Sequence, residues 1–242
     1  MVISIIGRDG TGKTSLAKAL GQLFSNDGLT AVVNTDLTMP TTIVDSGDVS
    51  LGNYLFSGGR HEATAYLHQD EQVNTLFYSG TTADDDMYSF EMYLNYHEKA
   101  DDFLQACADD VDNIIVDVSG QRVDPFLRPA LFRSNFIIVL CTCDREGVNY
   151  LHSIGRPLHD ARQDSPGSVI FVPSKVMPYQ DVSAFQSITG CQQTCVLPYN
   201  EDIIYANSSY TLFQSASTKQ GRKWLEAVKT LYKYLKGGYL DG

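Results

Sequence analysis

The residues with the clearest chemistry form a glycine-rich segment near the amino end that fits the pattern G-x-x-x-x-G-K-(S/T). In chain order they are Gly7, Arg8, Asp9, Gly10, Thr11, Gly12, Lys13 and Thr14. In such a loop the backbone N–H groups point at phosphate oxygens, and the following helix adds the positive end of its dipole. We expect Lys13 to contact the β- and γ-phosphates, Thr14 to ligate Mg²⁺ and Ser15 to bond the α-phosphate. The segment predicts a nucleoside triphosphate site, and a glycine-rich turn that binds nothing is the alternative.

A second group of residues has the chemistry to hold the magnesium ion. Asp117 ends the apolar run Ile-Ile-Val-Asp and is followed by Val118, Ser119 and Gly120, which gives the spacing D-x-x-G. A P-loop site needs an acid on a neighbouring strand for Mg²⁺ and its waters, and Gly120 can bring its backbone N–H close to a γ-phosphate. A turn or helix-capping acid is the alternative for Asp117 taken alone. Beside a complete P-loop, the magnesium role is the better interpretation.

Asp36 is the candidate for activating water. It follows the second predicted strand, at the same end of the sheet as the glycine-rich segment. Its carboxylate can polarise the attacking water or hold Mg²⁺ through a water molecule, whereas an Asx-turn is the local alternative. The expected catalytic residues are therefore Lys13 and Asp36.

Strands alternating with helices are predicted to position these side chains. Short apolar runs predict strands at 2–6, 30–33, 73–78, 112–117, 135–141, 168–172 and 194–197. Helical spacing of apolar residues predicts helices at 13–25, 84–108, 146–163 and 218–236, with one or two short helices between 51 and 72. This alternation is typical of a mostly parallel, doubly wound α/β sheet flanked by helices, with the site at the carboxyl ends of the strands. The whole chain, 1–242, is predicted to be a single P-loop ATPase domain.

The composition of the chain narrows its function further. Hydrophobic residues make up 43% and charged residues 19%, which is enough apolar material for a full core. A formal net charge of −11 and a pI near 4.7 argue against nonspecific DNA binding, because such binding needs clustered Lys and Arg. No signal peptide or membrane-length apolar run is found, and five cysteines argue against a disulfide framework, so we expect a cytoplasmic protein. The cysteine spacings favour buried thiols over a zinc site.

The order of these motifs resembles the ParA/MinD family of P-loop ATPases, the deviant Walker A proteins that position plasmids, division sites, flagella and pili. The resemblance covers nearly the whole chain and is carried by the segments GRDGTGKTS (7–15), VVNTDLTMPTT (32–42), DNIIVDVSG (112–120), FIIVLCTCDREGVNYL (136–151) and LPYNEDIIYANSS (197–209). It implies that Asp36 is a switch acid, that Asp117 is the Walker B acid and that Pro198 lies against the adenine. Within the family, the chain looks most similar to pilus-locating proteins of the TadZ/CpaE type.

The chain departs from the family pattern at the nucleotide site. Arg8 replaces the signature lysine that reaches across a face-to-face dimer to the partner's nucleotide, and an arginine fork is not equivalent to an ammonium. Asp9 replaces a glycine and puts a carboxylate near the phosphates, which should weaken binding unless Arg8 or Mg²⁺ offsets it. Asn34 replaces the first acid of the family's D-x-D switch, and Ser174 and Lys175 stand where an asparagine usually contacts the base. These departures predict slow or absent hydrolysis.

The resemblance implies an ATPase that binds ATP and Mg²⁺, forms a homodimer on nucleotide and positions a cargo such as a plasmid, division site or pilus; its protein partner is unknown. ATP is favoured over GTP because the guanine motifs N-K-x-D and T-K-x-D are absent from the sequence. One alternative is a P-loop small-molecule kinase or ATP-dependent ligase, with Arg122, Arg128 and Arg133 as a cationic lid. Another is a non-hydrolysing, nucleotide-bound scaffold.

The last predicted helix carries the one basic cluster of this acidic chain. Its apolar stripe consists of Trp224, Leu225, Val228, Leu231, Tyr232 and Leu235, and its other faces carry Lys219, Arg222, Lys223, Lys229, Lys233 and Lys236. Packing against the sheet, with solvated lysines, is the favoured interpretation. A peripheral contact with the inner face of the membrane, as MinD-like proteins make through their tails, is the alternative.

Overall fold

One seven-stranded sheet organises the structure, a computed structural model that describes residues 1–37, 49–57, 60–82, 85, 96–121, 124–164, 167–189, 195–203 and 216–237. The strands are β1 (Val2–Gly7), β2 (Thr30–Asn34), β3 (His68–Gln69), β4 (Leu76–Ser79), β5 (Asn113–Asp117), β6 (Phe136–Thr142) and β7 (Ser168–Ser174). Their order across the sheet is β3-β4-β2-β5-β1-β6-β7. All neighbours pair in parallel except β3, which is antiparallel to β4. The predicted mostly parallel sheet is confirmed.

Helices cover both faces of this sheet, which explains why the central strands are continuous apolar runs. The helices are α1 (Lys13–Phe24), α2 (Leu51–Ser57), α3 (His97–Asp110), α4 (Leu127–Arg133), α5 (Arg145–Asp164), α6 (Ser183–Thr189) and α7 (Lys219–Leu235), with a 3₁₀ helix at Arg60–Tyr66. Helices α1 and α7 pack on one face, and α2 to α6 pack on the other. Successive side chains of β5 point to opposite faces of the sheet, because Ile114 and Val116 belong to one core cluster and Ile115 belongs to the other.

Helix α7 packs its apolar stripe against the sheet and α1. Its buried residues Trp224, Val228, Leu231 and Leu235 are at most 4% exposed, while its lysines are exposed. The hydroxyl of Thr218 caps the helix by accepting a hydrogen bond from the Gly221 N–H at 2.9 Å. The structure therefore agrees with the favoured packing interpretation of this helix. None of the described helices is long and apolar enough to cross a membrane.

Two strand predictions need correction. The strand predicted at 194–197 is absent from residues 195–197, which are irregular and are followed by an isolated parallel bridge between Val176 and Pro198. A longer ladder is prevented because Pro173 has no N–H and Lys175 adopts a left-handed φ of 53°. The strand predicted at 73–78 is found at Leu76–Ser79, since the Asp70 carboxylate accepts the N–H groups of Gln72 and Val73 and holds the chain there in a turn.

Several other elements differ from the predictions or were missed. The long helix predicted from residue 84 is described only from His97, and residues 86–95 lie outside the described ones. Helices α4 and α6 have seven residues each, and β3 has two, so they are too short to show a clear hydrophobic period. Of the cysteines, Cys191 lies outside the described residues, and no group of metal-ligating side chains forms among those that are described.

Candidate functional site

The glycine-rich segment forms a closed loop between β1 and α1. Gly10 and Gly12 have φ values of +75° and +93°, a left-handed conformation that glycine adopts without strain. The Arg8 carbonyl accepts hydrogen bonds from both the N–H and the hydroxyl of Thr11, at 3.2 and 2.8 Å. Any Cβ on Gly7 would lie 2.7 Å from the Leu140 carbonyl oxygen of β6, so only glycine fits beneath the loop. The glycines and the contact between Thr11 and Arg8 thus determine the conformation of the loop. Its backbone curls as it does in phosphate-binding loops.

Lys13 begins α1 with its side chain folded back into this loop. The residue is 7% exposed, and its Nζ donates to the carbonyls of Gly7 and Arg8 at 3.0 and 3.3 Å. The carboxylate of Asp9 lies 3.5 Å from the same nitrogen. A buried ammonium needs such acceptors, and phosphate oxygens are stronger acceptors because they are charged. The ammonium is therefore held where a bound phosphate would meet it.

The two expected metal ligands, from the start of α1 and the end of β5, are in direct contact. The Thr14 hydroxyl donates to Asp117 Oδ2 at 2.6 Å, and the Asn34 side-chain amide donates to the same oxygen at 2.7 Å. Burial raises the pKa of Asp117, which is 2% exposed, while hydrogen bonds from Thr14 and Asn34 and the charge of Lys13 act in the opposite direction. A hydroxyl and a carboxylate side by side are the oxygen ligands that Mg²⁺ prefers beside substrate phosphates. The residues present therefore fit a Mg²⁺ ion.

Asp36 lies in the lining of the same site. Its N–H donates to the side-chain oxygen of Asn34 at 3.1 Å, and its carbonyl accepts a hydrogen bond from the Thr81 hydroxyl at 2.9 Å. Asn34 therefore makes an Asx-turn here, whereas the Asx-turn alternative for Asp36 involves residue 38, which lies outside the described residues. The Asp36 backbone is thus fixed from both sides.

A buried carboxylate joins the loops that follow β2 and β5. Asp124 Oδ2 accepts hydrogen bonds from the Thr35 hydroxyl at 2.6 Å and the Ser119 N–H at 3.1 Å, and Oδ1 accepts the Phe126 N–H at 2.7 Å. Burial raises the pKa of Asp124 to about 7, and the nearby charge of Asp36 adds to this rise, whereas the three hydrogen bonds lower the pKa. Asp124 therefore fixes the position of the Asp36 loop relative to the Gly120 loop.

A cleft of about 650 Å³ opens above the loop and brings most of the predicted site residues together. This volume is within the range of small-molecule sites. The predicted residues that line it are Asp9, Gly10, Thr11, Gly12, Lys13, Thr14, Ser15, Asp36, Asp117 and Pro198. Gly7, Arg8 and Gly120 are not in the lining. Gly7 lies beneath the loop, and Gly120 packs so closely on Asp9 that a Cβ there would lie 2.9 Å from the Asp9 backbone nitrogen.

The far end of the cleft contains two buried polar groups that lack a partner. Among the described residues, Ser174 Oγ and Asn200 Nδ2 make no hydrogen bond, although both residues line the cleft. The other amide atom of Asn200 accepts the Asp202 N–H at 2.9 Å, which holds the side chain in place. Leaving buried polar atoms unpaired costs free energy, so this end fits a ligand with a polar edge, such as a nucleoside base. Pro198 and Trp224 add apolar surface beside them.

The described arginines among those singled out by the sequence make contacts away from the cleft. Arg8 pairs with Glu146 in the first turn of α5 on the same chain. Arg133 is paired with Asp101 of α3, and Arg128 lies over the Phe132 ring with 5.5 Å between the guanidinium carbon and the ring centroid. Arg122 lies outside the described residues. Of the three arginines proposed for a cationic lid, the two that are described therefore do not line the cleft.

Sequence reasoning missed several residues of this site. Thr35 and Asp124 act through contacts between two loops, and Asn200 was passed over beside Pro198. A signal for Asp124 was present, because an acid directly before Pro125 is typical of a turn that fixes a loop.

Comparison with known proteins supports this description of the fold. No protein-family model matches the chain, and no curated protein matches its sequence. MinD from Pyrococcus horikoshii, solved with Mg-ADP, is 17% identical with a TM-score of 0.75, and the match covers 98% of this chain and 97% of MinD. A putative plasmid partition protein from Borrelia burgdorferi bound to AMPPNP is 14% identical with a TM-score of 0.74, covering 98% and 99%. A variant of McdA from Cyanothece, complexed with ATP, is 16% identical with a TM-score of 0.76, covering 100% and 99%.

These matches extend over whole chains, so they concern the fold of the chain and not only the loop. The seven-stranded, mostly parallel sheet with flanking helices agrees with the fold of these structures. These three similar structures do not indicate the TadZ/CpaE branch, which stays a prediction. The chain has the fold of the MinD and ParA-like P-loop ATPases.

Proposed function

We propose that this protein is a weakly hydrolysing ATPase that binds Mg·ATP, dimerises on nucleotide and positions a cellular cargo such as a plasmid, division site or pilus. The observation that carries the proposal is the contact between Thr14 and Asp117 beside the buried ammonium of Lys13. Those side chains come from α1 and β5, and their meeting fits a metal-bound triphosphate. The nucleotides bound in the similar structures, Mg-ADP, ATP and AMPPNP, support the same ligand class for this chain.

Each residue of the site has a role in this proposal. The loop amides and Lys13 would hold the phosphates, and Thr14 and Asp117 would hold the metal ion, which would neutralise phosphate charge when bound. Asp36 orients the attacking water from the loop after β2. Ser174, Asn200 and Pro198 contact the base at the other end of the cleft. The loops that contain Asp36 and Gly120 change their contacts when a γ-phosphate is present, and this change controls dimerisation.

Two contacts in the structure support the proposal that hydrolysis is slow. Asn34 occupies the place of a switch acid and donates its amide to Asp117, so the site has one carboxylate fewer for activating water. Arg8 is paired with Glu146 of its own chain, and this pair must open before Arg8 can reach a partner's nucleotide. The same contacts favour a second candidate function, a scaffold that holds nucleotide without hydrolysing it. A kinase or ligase is less favoured because the described arginines proposed for its lid lie away from the cleft.

Size-exclusion chromatography with light scattering tests the dimerisation. Wild-type protein, Lys13→Ala and the control Lys233→Ala are run without nucleotide, with Mg·ADP and with Mg·ATP. Lys233 is an exposed lysine of α7, so its removal matches the charge change away from the cleft. We expect a dimer with Mg·ATP for wild type and control and a monomer for Lys13→Ala. A monomer in every condition would remove the proposed positioning function.

The proposal places the protein in the cytoplasm. The exposed lysines of α7 are the surface that would meet the inner face of a membrane, although the apolar stripe of this helix is buried. Co-sedimentation with vesicles of acidic phospholipid, with and without Mg·ATP, tests this contact. Protein that stays in the supernatant in both conditions would exclude it.

A further inference from the structure

The carboxylate of Asp9 lies close to two groups that are expected to contact a γ-phosphate. Its Oδ1 is 3.5 Å from the Lys13 ammonium nitrogen. A Cβ added to Gly120 would lie 2.3 Å from the same oxygen, so the Gly120 backbone is also close to this carboxylate. Lys13 and the backbone of Gly120 are the groups that a triphosphate would engage from the two sides. Asp9 thus puts a negative charge where the terminal phosphate would sit.

The other cation near this carboxylate is directed away from it. Arg8, the neighbour of Asp9 in sequence, pairs with Glu146 at the start of α5. Among the described residues, the ion pair that Asp9 makes is the one with Lys13. An arriving γ-phosphate would compete with Asp9 for the Lys13 ammonium and would also be repelled by the carboxylate.

We propose that Asp9 is a specificity residue that favours the diphosphate over the triphosphate by occupying the γ-phosphate position. This inference rests on the proposed nucleotide-binding function of the cleft. Bound ADP ends at its β-phosphate and leaves the contact between Asp9 and Lys13 in place. Bound ATP requires the Asp9 side chain to swing outward, which is feasible because 72% of that side chain is exposed.

The size of the effect follows from the charges and the exposure. Two like charges about 4 Å apart interact by roughly 1 kcal/mol in water and by about 4 kcal/mol near a protein surface. The exposed side chain can move away, so the lower value applies, and a difference of about fivefold in relative affinity is expected. The γ-phosphate carries the charge that ADP lacks, so the effect falls on ATP.

Isothermal titration calorimetry with Mg·ATP and Mg·ADP tests the proposal. The proteins are wild type, Asp9→Asn, Asp9→Gly and the control Asp110→Asn. Asparagine keeps the shape of the side chain without its charge, and glycine removes the side chain. Asp110 is an exposed acid at the end of α3, where the chain enters β5 at the opposite edge of the sheet. The control therefore changes net charge by the same amount away from the cleft.

We expect the ratio of ATP to ADP affinity to rise about fivefold in both Asp9 variants and to stay at the wild-type value in the control. An unchanged ratio in Asp9→Asn and Asp9→Gly, with ADP still binding, would overturn the inference and leave the proposed function standing. An equal gain for both nucleotides would also overturn it, since a general charge effect does not distinguish the γ-phosphate. Absence of any binding heat, for either nucleotide in every protein, would overturn the inference and the proposed function together.

Discussion

Replacing Asp124 with asparagine should flatten the dependence of stability on pH between about pH 4 and pH 7. Asp124 is 6% exposed, and burial raises its pKa from 3.8 to about 7. In this window the folded protein keeps a proton on Asp124 that the unfolded chain releases. The free energy of unfolding therefore falls as pH rises, and the loss is complete above the folded-state pKa. Asparagine does not titrate, so its contribution to the free energy of unfolding does not change with pH.

The magnitude follows from the gap between the two pKa values. A gap of about three pH units corresponds to roughly 4 kcal/mol between the ends of the window. The pKa of Asp117 is raised as well, so its titration gives wild type and variant a common slope of the same sign. The difference between the two proteins isolates Asp124. Relative to Asp124→Asn, wild type should lose up to about 4 kcal/mol of stability between pH 4 and pH 8.

Urea unfolding followed by tryptophan fluorescence measures this difference. The chain has one tryptophan, Trp224, which is 4% exposed and should report the loss of the core. Wild type, Asp124→Asn and the exposed control Asp110→Asn are compared at several values between pH 4 and pH 8. Parallel stability profiles for wild type and Asp124→Asn would refute the reasoning, because Asp124 would then titrate alike in the folded and unfolded chains.

Three further substitutions test the loop, the core and the metal site. Gly120→Ala should weaken the binding of Mg·ADP, measured by calorimetry, at least about tenfold, because the added Cβ would lie 2.9 Å from the backbone nitrogen of Asp9 in the P-loop. An unchanged affinity would contradict this close packing. Leu231→Ala, at a fully buried position of α7, should lower the free energy of unfolding by about 3 kcal/mol, measured in urea. The exposed control Lys233→Ala should lower it by about 0.5 kcal/mol or less, and equal losses in the two variants would contradict the packing of α7. Asn34→Asp puts a second carboxylate beside Asp117, so it should lower the thermal midpoint of unfolding in the absence of Mg²⁺. Added Mg²⁺ should then raise this midpoint by more than it does in wild type, and an equal rise would contradict the metal assignment.

The fold and the centre of the site were predictable because their signals are local. The loop from Gly7 to Thr14 needs glycines at fixed positions, and two of these glycines adopt the left-handed conformation. The apolar strand ending in Asp117 is recognisable because a central parallel strand is buried on both faces. The loop follows β1, and Asp117 is the last residue of β5, the parallel neighbour of β1. The topology alone therefore brings Thr14 and Asp117 together at the carboxyl ends of the strands.

The remaining features depend on contacts between distant parts of the chain. Arg8 and Glu146 are 138 residues apart, so no motif shows that the arginine turns toward α5. The position of Asp9 beside Gly120 depends on how two loops meet, and the unpaired groups of Ser174 and Asn200 appear only when the cleft is assembled. The strand predicted at 194–197 failed for a similar reason, because the backbone of residues 173–175 allows only an isolated bridge and a few hydrogen bonds there.

The central claim is that the loop around Lys13 binds a magnesium nucleotide, and calorimetry of the folded protein tests it most directly. Mg·ADP and Mg·ATP are titrated into wild type, Lys13→Ala and the control Lys233→Ala. We predict saturable binding to wild type and control, with affinity at least about tenfold weaker in Lys13→Ala because the ammonium that meets the phosphates is gone. Equal binding to Lys13→Ala and wild type, or no binding to folded wild-type protein, would contradict the account.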